Sequence, residues 1–309
     1  MESGKQGQVQ ADLIYDVRLH RGEDTEFYLQ KGFRVVAFEA DPELINYCAE
    51  TFDDFIKEGK LKIIGGAIVD LDTIRPDDKG RVSFYKNNDV SVWGTVRSEW
   101  AERNQTLGTT SRRIDVQAID FAAALRDHGI PYYMKIDIEG CDIVCLNALQ
   151  RFTERPDYIS IESDKTSLAK IRREIELLSN LGYDGFQAIE QSALHLFQSP
   201  PYPSREGRYA AKTFRSGCSG LFGAELGHGW KSRGQILWLY RFIRLGYYLF
   251  GDNGILNGWR FRGAWRLRSW ATRLVGWFTG GAVPGWYDTH ARHSRARVRQ
   301  TPLKRSVFS

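Results

Sequence analysis

Apolar residues fall in short runs separated by glycine-punctuated polar stretches, and their spacing alternates along the chain between strand-like and helix-like. LIYDV (13–17) reads as a short buried strand, residues 22–31 as a helix with Glu23 and Asp24 in its first turn and Gly32 as its stop, and FRVVAFE (33–39) as a second strand. Pro42 suits the first position of a helix, where its missing N–H costs nothing; that helix is expected to run to about Lys57, before a third strand at LKIIGGAIV (61–69). This is the rhythm of a parallel sheet with helices on both faces.

From residue 82 the pattern becomes β-rich, with VSFYKN (82–87), SVWGTV (91–96) and RRIDVQAI (112–119) forming an excursion before helix 121–129. PYYMKIDIE (131–139) is the strongest buried strand, followed by a helix over 141–152, a strand at PDYISIE (156–162) and an amphipathic helix capped by Thr166 or Ser167. YDGFQAIE (183–190) and RYAAKTF (208–214) are expected to finish the sheet. The order predicts an α/β fold: a Rossmann-like seven-stranded sheet of the kind found in many methyltransferases, with a helical, aromatic-rich, basic C-terminal extension. The corresponding division is a flexible N-terminus (1–11), an α/β body (12–229), a Trp/Arg-rich helical appendage (230–291) and a basic, disordered tail (292–309).

Charge sharpens that division. The net formal charge of +5 conceals +13 over residues 230–309, where Asp252 and Asp288 are the acids, leaving −8 for residues 1–229. Four cysteines (48, 141, 145, 218) form no CxxC pair, which favours a reducing, cytoplasmic setting over a disulfide framework or structural zinc. The N-terminal stretch lacks the apolar core of a secretory signal, and no apolar run reaches the length of a membrane span.

Two constellations carry candidate chemistry. In the first, a tight turn, Asp16 to Gly22, is followed 23 residues after Asp16 by Glu39 at the end of the second strand. A carboxylate there can accept both ribose hydroxyls while turn N–H groups hold a polar tail. The G-x-G-x-x-G fingerprint is absent, so S-adenosylmethionine, a nucleoside without phosphates, fits better than a dinucleotide. The plainer alternatives are a capping role for Asp16 and an ordinary turn for Gly22. In the second, Lys135, Asp137 and Glu139 alternate with Met134, Ile136 and Ile138, so three charges share one face of a strand that parallel packing covers on both sides. Such charges are costly unless they reach a crevice. With Glu162, at the end of YISIE, Asp137 and Glu139 can surround a polar acceptor and hold a divalent cation through oxygen; helix capping by Glu139 and solvent exposure of Glu162 are the alternatives.

IYDVRLHRGEDTEFYLQKGFRVVAFEADP, GGAIVD, MKIDIEG and YISIES stand in the order found in the FkbM-type family of S-adenosylmethionine-dependent methyltransferases, which the chain resembles over about residues 12–220. The resemblance implies O-methylation of a hydroxyl on a sugar, glycan or other small natural product. It further implies that Asp16, Gly22, Thr25 and Glu39 line the cofactor, that Ala67 and Asp70 lie beside adenine, and that Asp137 and Glu139 stand at the transfer site. Lys135 balances these acids, and His195 is a further candidate base. Arg18 departs from the family, which usually has glycine there; it either obstructs the cofactor, turns outward or pairs with the cofactor carboxylate. A catalytically inactive cofactor-binding or scaffold protein is the alternative reading.

At the C-terminal end, ILWLYRFIRLGYYLF (236–250) and FRGAWRLRSWATRLVGWF (261–278) mix Arg with aromatic residues at helical spacing. They can pack on the body, form a homodimer through residues 230–291, or lie peripherally on a membrane surface. PGWYDTHA (284–291) reads as a local docking segment, and nucleic acid is disfavoured because no recognition fold accompanies the basic tail.

Overall fold

The computed structural model describes residues 8–74, 79–138, 140–163, 167–191, 194, 198–215, 217–250 and 287–296. Its centre is a seven-stranded sheet. The strands are β1 (Val9–Val17), β2 (Arg34–Glu39), β3 (Leu61–Gly65), β7 (Ile130–Ile136), β8 (Tyr158–Glu162), β9 (Tyr183–Glu190) and β10 (Tyr287–His293), in the spatial order β3-β2-β1-β7-β8-β10-β9. All ladders are parallel except those of β10, which runs antiparallel to both β8 and β9. A small second sheet, β4 (Ala67–Ile68), β6 (Ser111–Ile119) and β5 (Arg81–Asn87), contains two of the three β-rich pieces expected after residue 82, whereas SVWGTV (91–96) opens with a short 3-10 turn, Ser91–Trp93, and meets β5 through a bridge from Thr95 to Tyr85.

Helices cover both faces, as the buried strands require. Helices α5 (Phe121–His128), α6 (Asp142–Leu149), α7 (Leu168–Asn180) and α8 (Arg233–Phe250) pack on one face against Met134, Ile136, Ile159 and Ile161. Helices α1 (Glu23–Gln30), α2 (Pro42–Thr51) and α3 (Asp53–Lys57), with the segment around Phe214 and Phe222, cover the other. Helix α4 (Ser98–Thr106) belongs to the excursion.

Two expected continuous elements are broken, each beside a glycine. The helix over 42–57 splits at Phe52, whose ring fills the space beside Gly22: a Cβ on Gly22 would lie 2.3 Å from that ring. The strand over 61–69 splits at Gly66 (φ 139°), where a Cβ would meet the Gln117 carbonyl at 2.4 Å. The chain there leaves the large sheet and enters the small one.

The last strand differs more. RYAAKTF (208–214) forms no strand; the sheet is completed by Tyr287–His293. Residues 287–291 of the segment read as a docking element, and the first two residues of the expected tail, are thus strand β10, inserted between β8 and β9. The N-terminal strand likewise starts at Val9, inside the segment expected to be flexible. Sequence spacing could not indicate β10, because its partners lie about a hundred residues upstream, and adjacency in sequence was the wrong guide to adjacency in space. Residues 261–278 and 297–309 lie outside the described residues, as do Glu139 and His195.

β10 is well held. Thr289, fully buried, bonds Tyr240 of α8 (2.5 Å) and Ser163 (2.5 Å), and Ala291 is sealed in the core. Ending the chain at Trp286 leaves β8 and β9 with unpaired edges and exposes Tyr240. The expected outcome is loss of a cooperative thermal transition by circular dichroism, and a truncated protein melting like the parent would show that β10 is dispensable.

Candidate functional site

The polar face of β7 comes first. Lys135 and Asp137 point away from the Met134 and Ile136 side, as the alternation predicts, but they have separate fates. The Lys135 ammonium is buried, 3.3 Å from Asp16 and 3.2 Å from Asp24 of α1. Burial opposes its charge, yet the two carboxylates outweigh that and hold its pKa well above the ordinary lysine value. Asp16 also accepts from Thr25 Oγ1 at 2.7 Å, and burial, only partly offset by Lys135, pushes its pKa up to about 6. Asp16, Thr25 and Lys135 therefore form a sealed network under the turn, behind the cleft wall.

The turn above this network is tight. Arg18 has φ 109°, His20 51° and Gly22 81°, so Arg18 holds a backbone shape that favours glycine. The N–H groups of Leu19, His20, Arg21 and Gly22 all have internal acceptors: Phe38 O, Glu39 Oε2, Glu23 Oε2 and Leu19 O. They are spent on shaping the turn, so the expected N–H cradle for a polar tail is occupied by the protein's own oxygens.

What the turn presents is the Arg18 side chain. Its Nη1 lies 2.6 Å from Asp137 Oδ1 and 3.3 Å from the Asp137 carbonyl. Beside it, Glu39 ends β2 with Oε2 bonded to His20 N–H (2.8 Å) and Oε1 to the N–H groups of Ala40 and Asp41 (both 2.9 Å). Burial raises its pKa against these bonds and the nearby Arg18 charge. With about four lone-pair directions on a carboxylate and three filled, capacity remains for a hydroxyl.

Arg18, Glu39 and Ala67 line one cleft, partly open to solvent, at the carboxyl ends of β1 and β2 and beside β4. This is the expected location for a ligand in such a sheet. Phe38, Ile68 and Phe84 supply apolar wall. The excursion closes the mouth: His20 Nε2 lies 2.9 Å from Ser91 Oγ, and Lys86 lies 2.9 Å from Asp41. A nucleoside fits this apolar wall and the Glu39 carboxylate; the side toward Asp137 is narrowed by Arg18.

The remaining candidates are dispersed. Gly22 supports the turn from behind, Asp70 is exposed and caps the short turn at residues 71–73, and Glu162 is half-buried opposite Asp288 of β10. Among the described residues no group of three or more His, Cys, Asp or Glu side chains has an arrangement that holds a metal. Sequence reasoning missed Phe84, Lys86 and Ser91, whose place at the cleft follows from the fold of the excursion, and Asp288, whose strand was not foreseen. Asp288 is buried, and burial together with Asp137 pushes its pKa well above the carboxylate range.

A family model described as Methyltransferase FkbM domain matches residues 16–184. No curated protein matches the sequence at a significant level. Similar solved structures include a methyltransferase FkbM from Methylobacillus flagellatus KT, 16% identical, covering 62% of this chain and 43% of that one with a TM-score of 0.35. A precorrin-6y C5,15-methyltransferase from Geobacter metallireducens GS-15 is 11% identical over 60% of this chain and 70% of its own, with a TM-score of 0.33. A SAM-dependent methyltransferase from Geobacter sulfurreducens, in complex with S-adenosyl-L-homocysteine, is 9% identical over 93% and 86%, with a TM-score of 0.31.

Asp142, at the start of α6, gives a pH test of this buried acid set. Burial pushes its pKa up to about 6, with the Ile138 N–H bond (3.1 Å) pulling it back and Asp137 pushing it further up. A carboxyl with a folded pKa above its unfolded value contributes stability that is complete below about pH 4 and lost as pH rises through about 6. Asp142→Asn keeps an acceptor for Ile138 and never ionises. Its stability should exceed the parent's by roughly 1–3 kcal/mol at pH 8 and converge with it near pH 4. Denaturant titrations at several pH values check this; parallel profiles would show that Asp142 ionises as freely folded as unfolded.

Proposed function

Because the chain belongs to the FkbM methyltransferase family, we propose that it is an S-adenosylmethionine-dependent O-methyltransferase acting on a hydroxyl of a sugar, glycan or other small natural product. Family membership supports methyl transfer as the general activity; the oxygen acceptor and its class are the proposal. The observation carrying it is that Arg18 lines one cleft with Glu39 while its guanidinium is in contact with Asp137.

S-adenosylmethionine supplies a methyl group made electrophilic by its sulfonium. Glu39 would accept from a ribose hydroxyl, Ala67 and Ile68 would face adenine, and Arg18 would take the cofactor carboxylate in place of Asp137. That exchange gives the arginine at a glycine-shaped position a use: the guanidinium that screens Asp137 in the free protein leaves it when a second carboxylate arrives. Asp137 then orients the acceptor hydroxyl and takes its proton late in transfer, because a carboxylate is a weak base toward an alcohol. Positioning and fixed charge supply most of the acceleration. Lys135 serves by holding Asp16 and the turn, and Glu162 with Asp288 borders the acceptor side.

The Arg18–Asp137 pair also favours a second reading, a catalytically silent protein whose arginine blocks the cofactor. Calorimetry with S-adenosylmethionine separates the two. If Arg18 is a ligand, the parent binds and Arg18→Gly weakens binding by about tenfold, the scale of one charge-assisted hydrogen bond. If Arg18 obstructs, the parent fails to bind and Arg18→Gly gains affinity. Asp137→Asn should keep cofactor affinity within a few fold while turnover falls by about 100-fold or more, and full turnover in that variant would remove Asp137 from the mechanism.

A further inference from the structure

Helix α8 is apolar on two opposite sides. Its inner side, Ile236, Leu239, Tyr240 and Ile243, is buried against α7 and the sheet, so the expectation that this segment covers the body holds for that side. At 100° per residue, Trp238, Phe242, Leu245 and Leu249 recur on the opposite side, with Tyr248 at its margin. There Trp238 is 54% exposed, Leu245 48% and Tyr248 63%, and the Trp238 and Phe242 rings are in contact at 4.1 Å between centroids. Arg241 and Arg244 are exposed along one flank. A surface stripe of large apolar side chains on a folded chain calls for an occupant.

Charge selects among occupants. Residues 231–250 contain no Asp or Glu, and residues 251–286 add five Arg and five Trp against Asp252 alone. A second copy docking this face on itself would bring Arg241 and Arg244 toward their own counterparts without an acid on the helix to offset them. A bilayer with anionic headgroups meets both requirements, accepting Trp and Leu at the acyl boundary and arginines at the phosphates. Among the described residues no helix is long and apolar enough to cross a membrane.

We propose that the outer face of α8, built on Trp238, Phe242 and Leu245 and flanked by Arg241 and Arg244, docks the protein on an anionic lipid surface. The proposal is independent of the methyl acceptor. It is tested by sedimentation of the full chain with vesicles of phosphatidylcholine alone and with one third phosphatidylglycerol. Partitioning should favour the anionic vesicles by at least tenfold and fall as salt is raised, because screening shortens the reach of the arginines. Trp238→Ser with Leu245→Ser, and separately Arg241→Gln with Arg244→Gln, should each lower partitioning by about tenfold with melting unchanged, since all four side chains face solvent. Equal binding to both vesicle types, no binding, or full binding by both variants overturns the proposal. Conversion of a dimer to a monomer by the Ser pair with vesicle binding unaltered would assign the face to a second copy instead.

Discussion

An ammonium group sealed from water beneath the central sheet is the constraint from which the site geometry follows. Lys135 has Asp16 and Asp24 within 3.3 Å and its own strand's apolar neighbours on the other face. A buried charge with one partner removed costs about 3–5 kcal/mol, so β7, β1 and the start of α1 must stay in register for both carboxylates to reach it. The network extends outward from there, with Asp16 taking Thr25 and Asp24 taking the Ser219 N–H at 2.8 Å. Lys135 also reaches the Arg18 carbonyl at 3.4 Å, which directs that peptide inward. The Arg18 side chain lies on the cleft side, where Asp137, two residues beyond Lys135 on the same strand face, meets it.

That chain of causes explains what was legible in the sequence. The alternation in MKID puts Lys135 and Asp137 on one face, and the cost of charge on a covered strand points to this spot, although β7 ends at Ile136 and Glu139 lies outside the described residues. It does not say whether a given charge is neutralised inside or presented outside. Lys135 is neutralised within the protein, Asp137 reaches the cleft edge through Arg18, and one spacing rule covers both. Glu39 was readable for a different reason: an acid closing a buried strand just before a helix start has its position fixed by backbone alone. Two of its three N–H partners, Ala40 and Asp41, follow it directly in sequence, and the third, His20, comes from the turn after β1.

The illegible parts depend on distance along the chain. Gly66 marks the point where one apolar run serves two sheets, and nothing in the run itself announces the change; the barrier to continuing is the Gln117 carbonyl, about fifty residues downstream. Phe52 interrupts a helix because it is needed beside Gly22. In both cases the break coincides with a tertiary contact made at a glycine, Gly66 against the Gln117 carbonyl and Gly22 against the Phe52 ring.

β10 is the largest such case, and it changes how the C-terminal end is understood. The strand carries Asp288, His290 and Arg292 on the polar side and Tyr287, Thr289 and Ala291 on the other, so by alternation it resembles a surface strand, yet both sides are covered. Its place between β8 and β9 makes residues 251–286 a stretch of sequence between two packed elements, α8 and β10. Asp288 sits in register with Glu162, and Asp137 acts on its titration. The same C-terminal region that supplies the basic helix therefore supplies a buried acid beside Glu162, so the region divided from the body by its charge is joined to it within the sheet.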